Sequence, residues 1–453
     1  MKKGILIFLS SLCFLTFPFS VAYSSTYYIS WSTGNDSWDG TSPSTAWKSL
    51  DKVSQGPAGG YQPGDVIKFK KGDVWDLTDT LNQGPVSYSV AGLRIPKNGS
   101  PGNELSFISD DSYRVEPGAG KPIFDGKGVV HMGIYSSKNY IKIDGLEVRN
   151  LKNAGFPCSG IFIEHGGTNW IIRNMKIHRS YDGIFILGSH HLIEKNEIYD
   201  ISHSGIYSGQ DLEANSIVRE NTVYNCNYNG IDIVGSQSGV NVGNRKWIIF
   251  RNYVFSCNDG IELSRADNNE IFSNITAYNA LNSTKELGGI LLAPDCDNNR
   301  VYNNTCFANR FGIAIQRTTG AGNVIINNLL ADNYKAEVSA FSGKATFQNN
   351  LYFNSSDSRF IFDGVFCSTS WWTANVDNQA LYPDPNFEDP SSPPLGLELA
   401  SPSEAIDAGI DLGPDYQLDF KGVIRESPWD LGALESNSSD NEPPSPPTGV
   451  TIN

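Results

Sequence analysis

The sequence predicts an all-β solenoid, a coil of short strands in which each turn pairs with the next. Three observations carry that prediction. A glycine ahead of an alternating apolar run recurs at Gly160, Gly183, Gly205, Gly230, Gly260, Gly289 and Gly312, at intervals of 23, 22, 25, 30, 29 and 23 residues. An asparagine ladder keeps step at Asn174, Asn196, Asn221, Asn252, Asn274, Asn304, Asn328 and Asn350, each with an apolar residue three positions earlier, from Ile171 to Phe347. The apolar runs alternate, Ile161 with Ile163, Ile184 with Ile186, Ile231 with Ile233, Ile261 with Leu263 and Ile313 with Ile315. That is the period of a strand, whereas helical repeats need apolar residues at i, i+3, i+4 and i+7. Pairing between turns satisfies backbone groups that one turn leaves open. Asn suits a corner because it tolerates left-handed backbone and can hydrogen-bond along the stack. Stacked strands are therefore expected over residues 120–355, with Asn174 to Asn350 at equivalent corners.

A strand repeat of this period with Asn, Gly and Asp at its corners resembles the right-handed parallel β-helix of the pectate-lyase-like family. The resemblance covers residues 120–355. It implies the fold, with an N-terminal cap and an irregular C-terminal segment. It leaves the chemistry to the residues, since this scaffold hosts lyases, hydrolases, epimerases and adhesins.

Taken in order, Met1-Lys2-Lys3, an apolar run from Ile5 to Phe19 and the small residues Ser20-Val21-Ala22 read as a secretory signal over residues 1–22. The run is shorter than a bilayer span requires, and no later segment is long and apolar enough, so an exported protein without a membrane span is expected. Residues 23–120 read as a cap and first turns. Tyr27-Tyr28-Ile29-Ser30 is a strand, Trp47, Leu50 and Val53 have helical spacing, and Gly64 to Phe69 begins the coil. A helix there would cover strand edges that the end of a coil exposes. This opening resembles that of secreted polysaccharide-degrading β-helix proteins. The regular coil is expected over 121–355 and a C-terminal cap segment over 356–436, with Trp371-Trp372 in a loop or cap. The stretch from Ser401 to Glu435 resembles the closing segment of secreted β-helix proteins. A Pro-rich disordered linker follows over 437–453.

Net charge is −15 with a pI near 4.8, and no basic cluster offsets it, so nucleic acid is excluded as a partner. A monomer is expected. Six cysteines follow the signal, without zinc spacing, and Cys226 and Cys257 occupy nearly equivalent positions. Buried stacked thiols are favoured there over a disulfide.

The chemistry is sought in the outward column, the residue after each Gly-Ile: Phe162, Phe185, Tyr207, Asp232, Glu262, Leu291 and Ala314. Turns about 4.8 Å apart make this a stripe of three aromatics leading into two carboxylates. Phe162, Phe185 and Tyr207 would form a platform for sugar rings, with His203 beside it. The alternative is that the aromatics pack under a long loop and the acids are ordinary surface acids. Asp232 and Glu262 could act as acid and base, and with Asp259 could hold a Ca²⁺ ion. Asp182, Gln210, Asp211 and Arg265 lie nearby in the pattern. Pairs such as Glu164-His165 and His190-His191, and the Asp/Asn runs at 267–269 and 295–299, are weaker metal candidates. No phosphate loop, nucleophile elbow or HExxH motif occurs.

The expected function is that of an extracellular carbohydrate-active protein taking a polysaccharide. The resemblance favours a lyase, which on this scaffold often uses Lys or Arg as base beside a cation that neutralises a uronate. Arg265 would be that base, with Asp232, Asp259 and Glu262 as ligands. A glycoside hydrolase using the acids directly is the alternative, although the acidic and Arg-x-Lys motif set of polygalacturonase-like hydrolases is incomplete. A non-catalytic glycan-binding surface protein is the third.

Overall fold

The computed structural model describes residues 24–86, 89–155, 158–209, 215–235, 246–281, 287–355 and 359–436. The expected signal, the Pro-rich linker and the candidates Gln210 and Asp211 lie outside these. Among the described residues, no helix is long and apolar enough to cross a membrane.

The strands form three sheets that run the length of the coil. Sheet A begins at Thr26–Ile29 and ends at Ala345–Gln348, and sheet B runs from Val74–Asp76 to Leu351–Phe353. Sheet C, from Gly84–Val86 to Val365–Cys367, carries the Gly-Ile strands. Neighbours pair in parallel throughout, except for a short antiparallel pair at each end of sheet C. Each turn therefore contributes one strand to each sheet, and one core, lined by residues such as Ile184, Ile231 and Ile261, fills the interior.

The glycine ladder has a steric cause. A Cβ at Gly230 would lie 2.1 Å from Val254 Cγ1 and 2.8 Å from the carbonyl of Gly260, and one at Gly183 would lie 2.3 Å from the carbonyl of Gly205. Glycine and the isoleucine after it both face inward, so the chain bends there and only hydrogen fits at the glycine. Gly230→Ala should cost about 1–3 kcal/mol by overpacking. A thermal melt of the variant matching that of the parent would count against this packing.

The asparagine ladder is internal. From Asn196 through Asn221, Asn252, Asn274, Asn304 and Asn328 to Asn350, each side-chain amide donates to the next Asn Oδ1 at 2.9–3.0 Å. The last donates to Asp377 Oδ2 at 2.9 Å, which terminates the series. Two expectations are corrected. Asn174 is not in this ladder: Arg173 pairs with Glu194, so Asn174 aligns with Lys195 and Met175 with Asn196. Nor do the ladder asparagines take the left-handed conformation. The preceding residue does, at Lys195, Glu220, Arg251, Ser273, Asn303, Asn327 and Asn349. Shorter ladders occupy the other corners, Asn269-Asn299-Asn323 and Asn279-Asn309-Asn333, the latter ending on Glu337. The 267–269 and 295–299 runs are thus corner structure. Cys226 and Cys257 continue the second corner as buried free thiols.

The N-terminal helix is shorter than its apolar spacing suggests. It spans Leu50–Gln55, buries Leu50 and Val53, and leaves Trp47 outside, buried against Tyr27. At the other end Trp371 and Trp372 lie in a helix, Thr369–Asn375, and the Trp372 ring stacks on Phe360 at 4.5 Å. The residues after it do more than close the coil. They run back along sheet B, where Leu397, Leu399, Leu431 and Leu434 cover Tyr253, Phe307 and Leu329. Arg251 Nε donates to the Phe420 carbonyl, and the Ala433 amide donates to Thr305 Oγ1. This wrapping takes sheet B and leaves the middle of sheet C to other uses.

Candidate functional site

The outward column forms as the spacing predicts. Across sheet C the register reads Tyr135, Phe162, Phe185, Tyr207, Asp232, Glu262 and Leu291, each paired with the next. Its upper part is not an open platform. Phe162 and Phe185 are 1% and 5% exposed and pack with Ala91, Met132, Tyr135 and Leu187. Their rings stack at 5.1 Å, and Phe185 stacks on Tyr207 at 4.8 Å. Stacking along the coil is satisfied within the protein, so of the three expected sugar-binding rings only Tyr207 is half-exposed.

A second stack lies beside it, two residues before each glycine, half-buried at Tyr181 and His203 and exposed at Tyr228. Tyr181, His203 and Tyr228 are 4.9 Å apart ring to ring, with planes within 4–5°. His203 also meets the edge of Tyr207 at 5.5 Å, and Tyr228 is 42% exposed. Of this stack only His203 was anticipated. Aligning the chain on its glycines, rather than reading forward from them, would have shown Tyr181 and Tyr228. If this stack receives sugar rings, Tyr228→Ala should weaken glycan binding roughly three- to tenfold by removing the outer ring. Titration of an oligosaccharide into parent and variant checks it, and unchanged affinity would exclude the stack as a binding surface.

The carboxylates sit at the lower end. Ser204 Oγ donates to Asp232 Oδ2 at 3.1 Å and Asn229 Nδ2 donates to Glu262 Oε2 at 2.5 Å. Ser204 and Asn229 each precede a glycine, so the bend that turns glycine inward sends them outward onto the next rung's acid. Asp182 accepts from the His203 ring at 2.8 Å, and Asp259 Oδ1 from the Gly288 amide at 2.6 Å. Burial raises the pKa of Asp232 well above the carboxylate range, and the Glu262 charge raises it further. Asp259 is raised well by burial and then by Glu262. Burial also raises Glu262, opposed by the Asn229 hydrogen bond and the Arg265 charge. Tyr207 is pushed up to about 12 by burial and the Asp232 charge, so its hydroxyl stays a donor. Arg265 ends the strand Asp259–Ser264 in a left-handed conformation, φ 52°. Its Nε and Asn229 Oδ1 are buried without a hydrogen-bond partner among the described residues.

The expected Ca²⁺ set of Asp232, Asp259 and Glu262 does not fit. Among the described residues no three His, Cys, Asp or Glu side chains converge on a point that could hold a metal. Asp259 is turned to a backbone amide, while Asp232 and Glu262 are held by Ser204 and Asn229. What the structure brings together is a two-carboxylate site, with Arg265 and Tyr207 beside it. The other metal candidates are structural. His191 is fully buried, pushed down to about 3 by burial, and accepts from the Trp170 amide. Glu164 accepts from the Tyr135 hydroxyl.

Residues 159–355 match the family model described as a right handed beta helix region. No curated protein sequence matches the chain. Solved structures do. Pectate lyase Pel9A superposes with a TM-score of 0.56 at 17% identity, over 91% of this chain and 98% of that one. XylC in complex with xylose gives 0.56 at 11% identity, over 90% and 98%. The GH136 lacto-N-biosidase from Eubacterium ramulus gives 0.51 at 15% identity, over 79% and 68%. The regular turns, the three parallel sheets and these matches together show that the chain folds as a right-handed parallel β-helix.

Proposed function

We propose that this protein is a glycoside hydrolase that cleaves a polysaccharide lying across sheet C, outside the cell, with Asp232 and Glu262 as its catalytic pair. The observation that carries this is their placement on adjacent rungs, facing one way, with Asp232 the more deeply buried of the two. Strand partners about 4.8 Å apart put the two carboxyls near the 5–5.5 Å typical of retaining enzymes. Asp232 is the buried partner and holds its proton. Glu262 is less deeply buried, and although burial raises it too, the Asn229 hydrogen bond and the Arg265 charge oppose that rise, so it is assigned the nucleophile's role.

In the first step the Glu262 carboxylate attacks the anomeric carbon as the glycosidic bond breaks, and the Asp232 proton passes to the departing oxygen. In the second, Asp232 takes a proton from water, whose oxygen attacks the same carbon and releases Glu262. The Tyr181-His203-Tyr228 stack, exposed at Tyr228, would hold neighbouring sugar rings. Pectate lyase Pel9A and the lacto-N-biosidase, which share the fold, support a carbohydrate substrate.

A second reading, β-elimination of a uronate glycan with Arg265 as base, is favoured by the buried unpartnered Arg265 Nε. It asks an arginine to give up its proton, which proteins rarely achieve. It also lacks the converging acid set for a cation. A polysaccharide panel read both for reducing ends and for the absorbance of unsaturated uronates decides between them. New reducing ends without unsaturation are expected. Unsaturated product would establish the lyase, and cleavage of no glycan, with binding retained, would make the protein a glycan-binding module.

A further inference from the structure

The outward column of sheet C continues upward past the aromatics and ends in positive charge. Arg94 pairs with Tyr135, five rungs from Asp232 through Phe162, Phe185 and Tyr207, or about 24 Å along the sheet. A cavity of about 330 Å³ opens there between the helix Leu50–Gln55 and the end of the strand Met132–Ser136. Arg94 and Lys138 line it, and neither makes an ion pair among the described residues. One carboxylate, Asp51, also lines the cavity, where its Oδ2 accepts from Gln55 Nε2 at 2.7 Å, and Glu164 accepts from the Tyr135 hydroxyl. Two cations without an ion pair thus share the cavity with one carboxylate, a local positive excess on a chain of net charge −15.

We propose that this cavity is a remote subsite for a negatively charged sugar substituent, a carboxylate or a sulfate, on the glycan whose cleavage is assigned to Asp232 and Glu262. It rests on that assignment for its role and not for its existence. Arg94 supplies a planar fork that matches a carboxylate or sulfate, and Lys138 a second charge. The distance between cavity and acids requires a chain several sugar units long, so short oligosaccharides would reach one or the other. The substrate is then an acidic polysaccharide gripped far from the bond that breaks.

Calorimetric titration tests this, on the full chain carrying Asp232→Asn so that nothing is consumed. The probes are a galacturonate hexamer, a sulfated galactan hexamer and a neutral xylose hexamer, at low and high salt. At least one anionic hexamer should bind about tenfold or more tightly than the neutral one, and lose that margin in high salt. Which hexamer does so identifies the substituent. Arg94→Gln with Lys138→Gln should abolish the margin while leaving the neutral hexamer unaffected, and Arg94→Lys should restore part of it. Equal affinity for charged and neutral hexamers, or a margin that survives the double substitution, overturns the proposal. Loss of the neutral hexamer's binding as well would also overturn it, by showing a general structural effect. Cleavage of neutral glycans without any charge preference leaves the hydrolase standing and removes the subsite. A charge preference on a chain that cleaves nothing does the reverse.

Discussion

Asp232→Asn and Glu262→Gln are each expected to lower kcat on a cleavable glycan by about a thousandfold or more, since one removes the proton donor and the other the nucleophile. Both substitutions keep the shape of the side chain, so reducing-end assays with purified variants read chemistry and not folding. Arg265→Ala should leave appreciable activity if the pair works as a hydrolase, and should remove it if arginine is the base of a lyase. Product analysed by NMR at early times should retain the anomeric configuration of the substrate.

The pH profile has a fixed sign. Activity needs Asp232 protonated and Glu262 ionised, so it falls at high pH as Asp232 finally loses its proton and at low pH as Glu262 gains one. The alkaline limb should be absent from a profile governed by ordinary surface carboxylates. Stability follows linkage. A carboxyl raised in the fold contributes stability that is fully present below the unfolded value, about 4. That contribution is lost as pH rises through the folded value. The parent should therefore lose thermal stability as pH rises from acid toward and beyond neutrality, and Asp232→Asn should flatten that fall. An Asp232→Asn variant with parental kcat would remove the catalytic assignment outright.

Asn274→Leu is expected to destabilise the coil by on the order of 3–6 kcal/mol, several times a typical core-neutral change. Asn274 Oδ1 accepts from both the backbone and side-chain amides of Asn252 at 3.0 Å, and its own amide donates to the Ile249 carbonyl at 2.8 Å and Asn304 Oδ1 at 3.0 Å. Leucine leaves these buried groups unpaired and adds bulk with no room to place it. Because each turn contacts only its neighbours, the damage should be local first. Hydrogen exchange should quicken in the turns around 249–304 before those near the N-terminal cap. Melting within error of the parent would mean that the ladder contributes little.

The period of the chain was legible because a solenoid is nearly one-dimensional. Gly160 to Gly312 and Asn196 to Asn350 each see an almost identical neighbour one turn away, so one steric and one hydrogen-bonding rule repeat along the sequence. Alternation then placed Phe162, Phe185, Tyr207, Asp232 and Glu262 in one column correctly. Asn174 misled because its spacing of 22 residues to Asn196 is a plausible turn, and only strand register shows it one position out.

The sequence by itself determined the coil, the outward column and the adjacency of two acids, since those follow from local period and nearest-turn pairing. Tertiary structure alone decided which parts of that column meet solvent. Phe162 and Phe185 disappear into an apolar cluster built partly from Ala91 and Met132, well upstream in the chain. The C-terminal segment covers sheet B rather than sheet C, from contacts separated by more than a hundred residues. Asp232 is buried and Glu262 less so, although each accepts from the residue before a glycine of the preceding turn, Ser204 and Asn229. Periodicity encodes direction. Burial, and with it the upward shift of both carboxyls, depends on what else packs there.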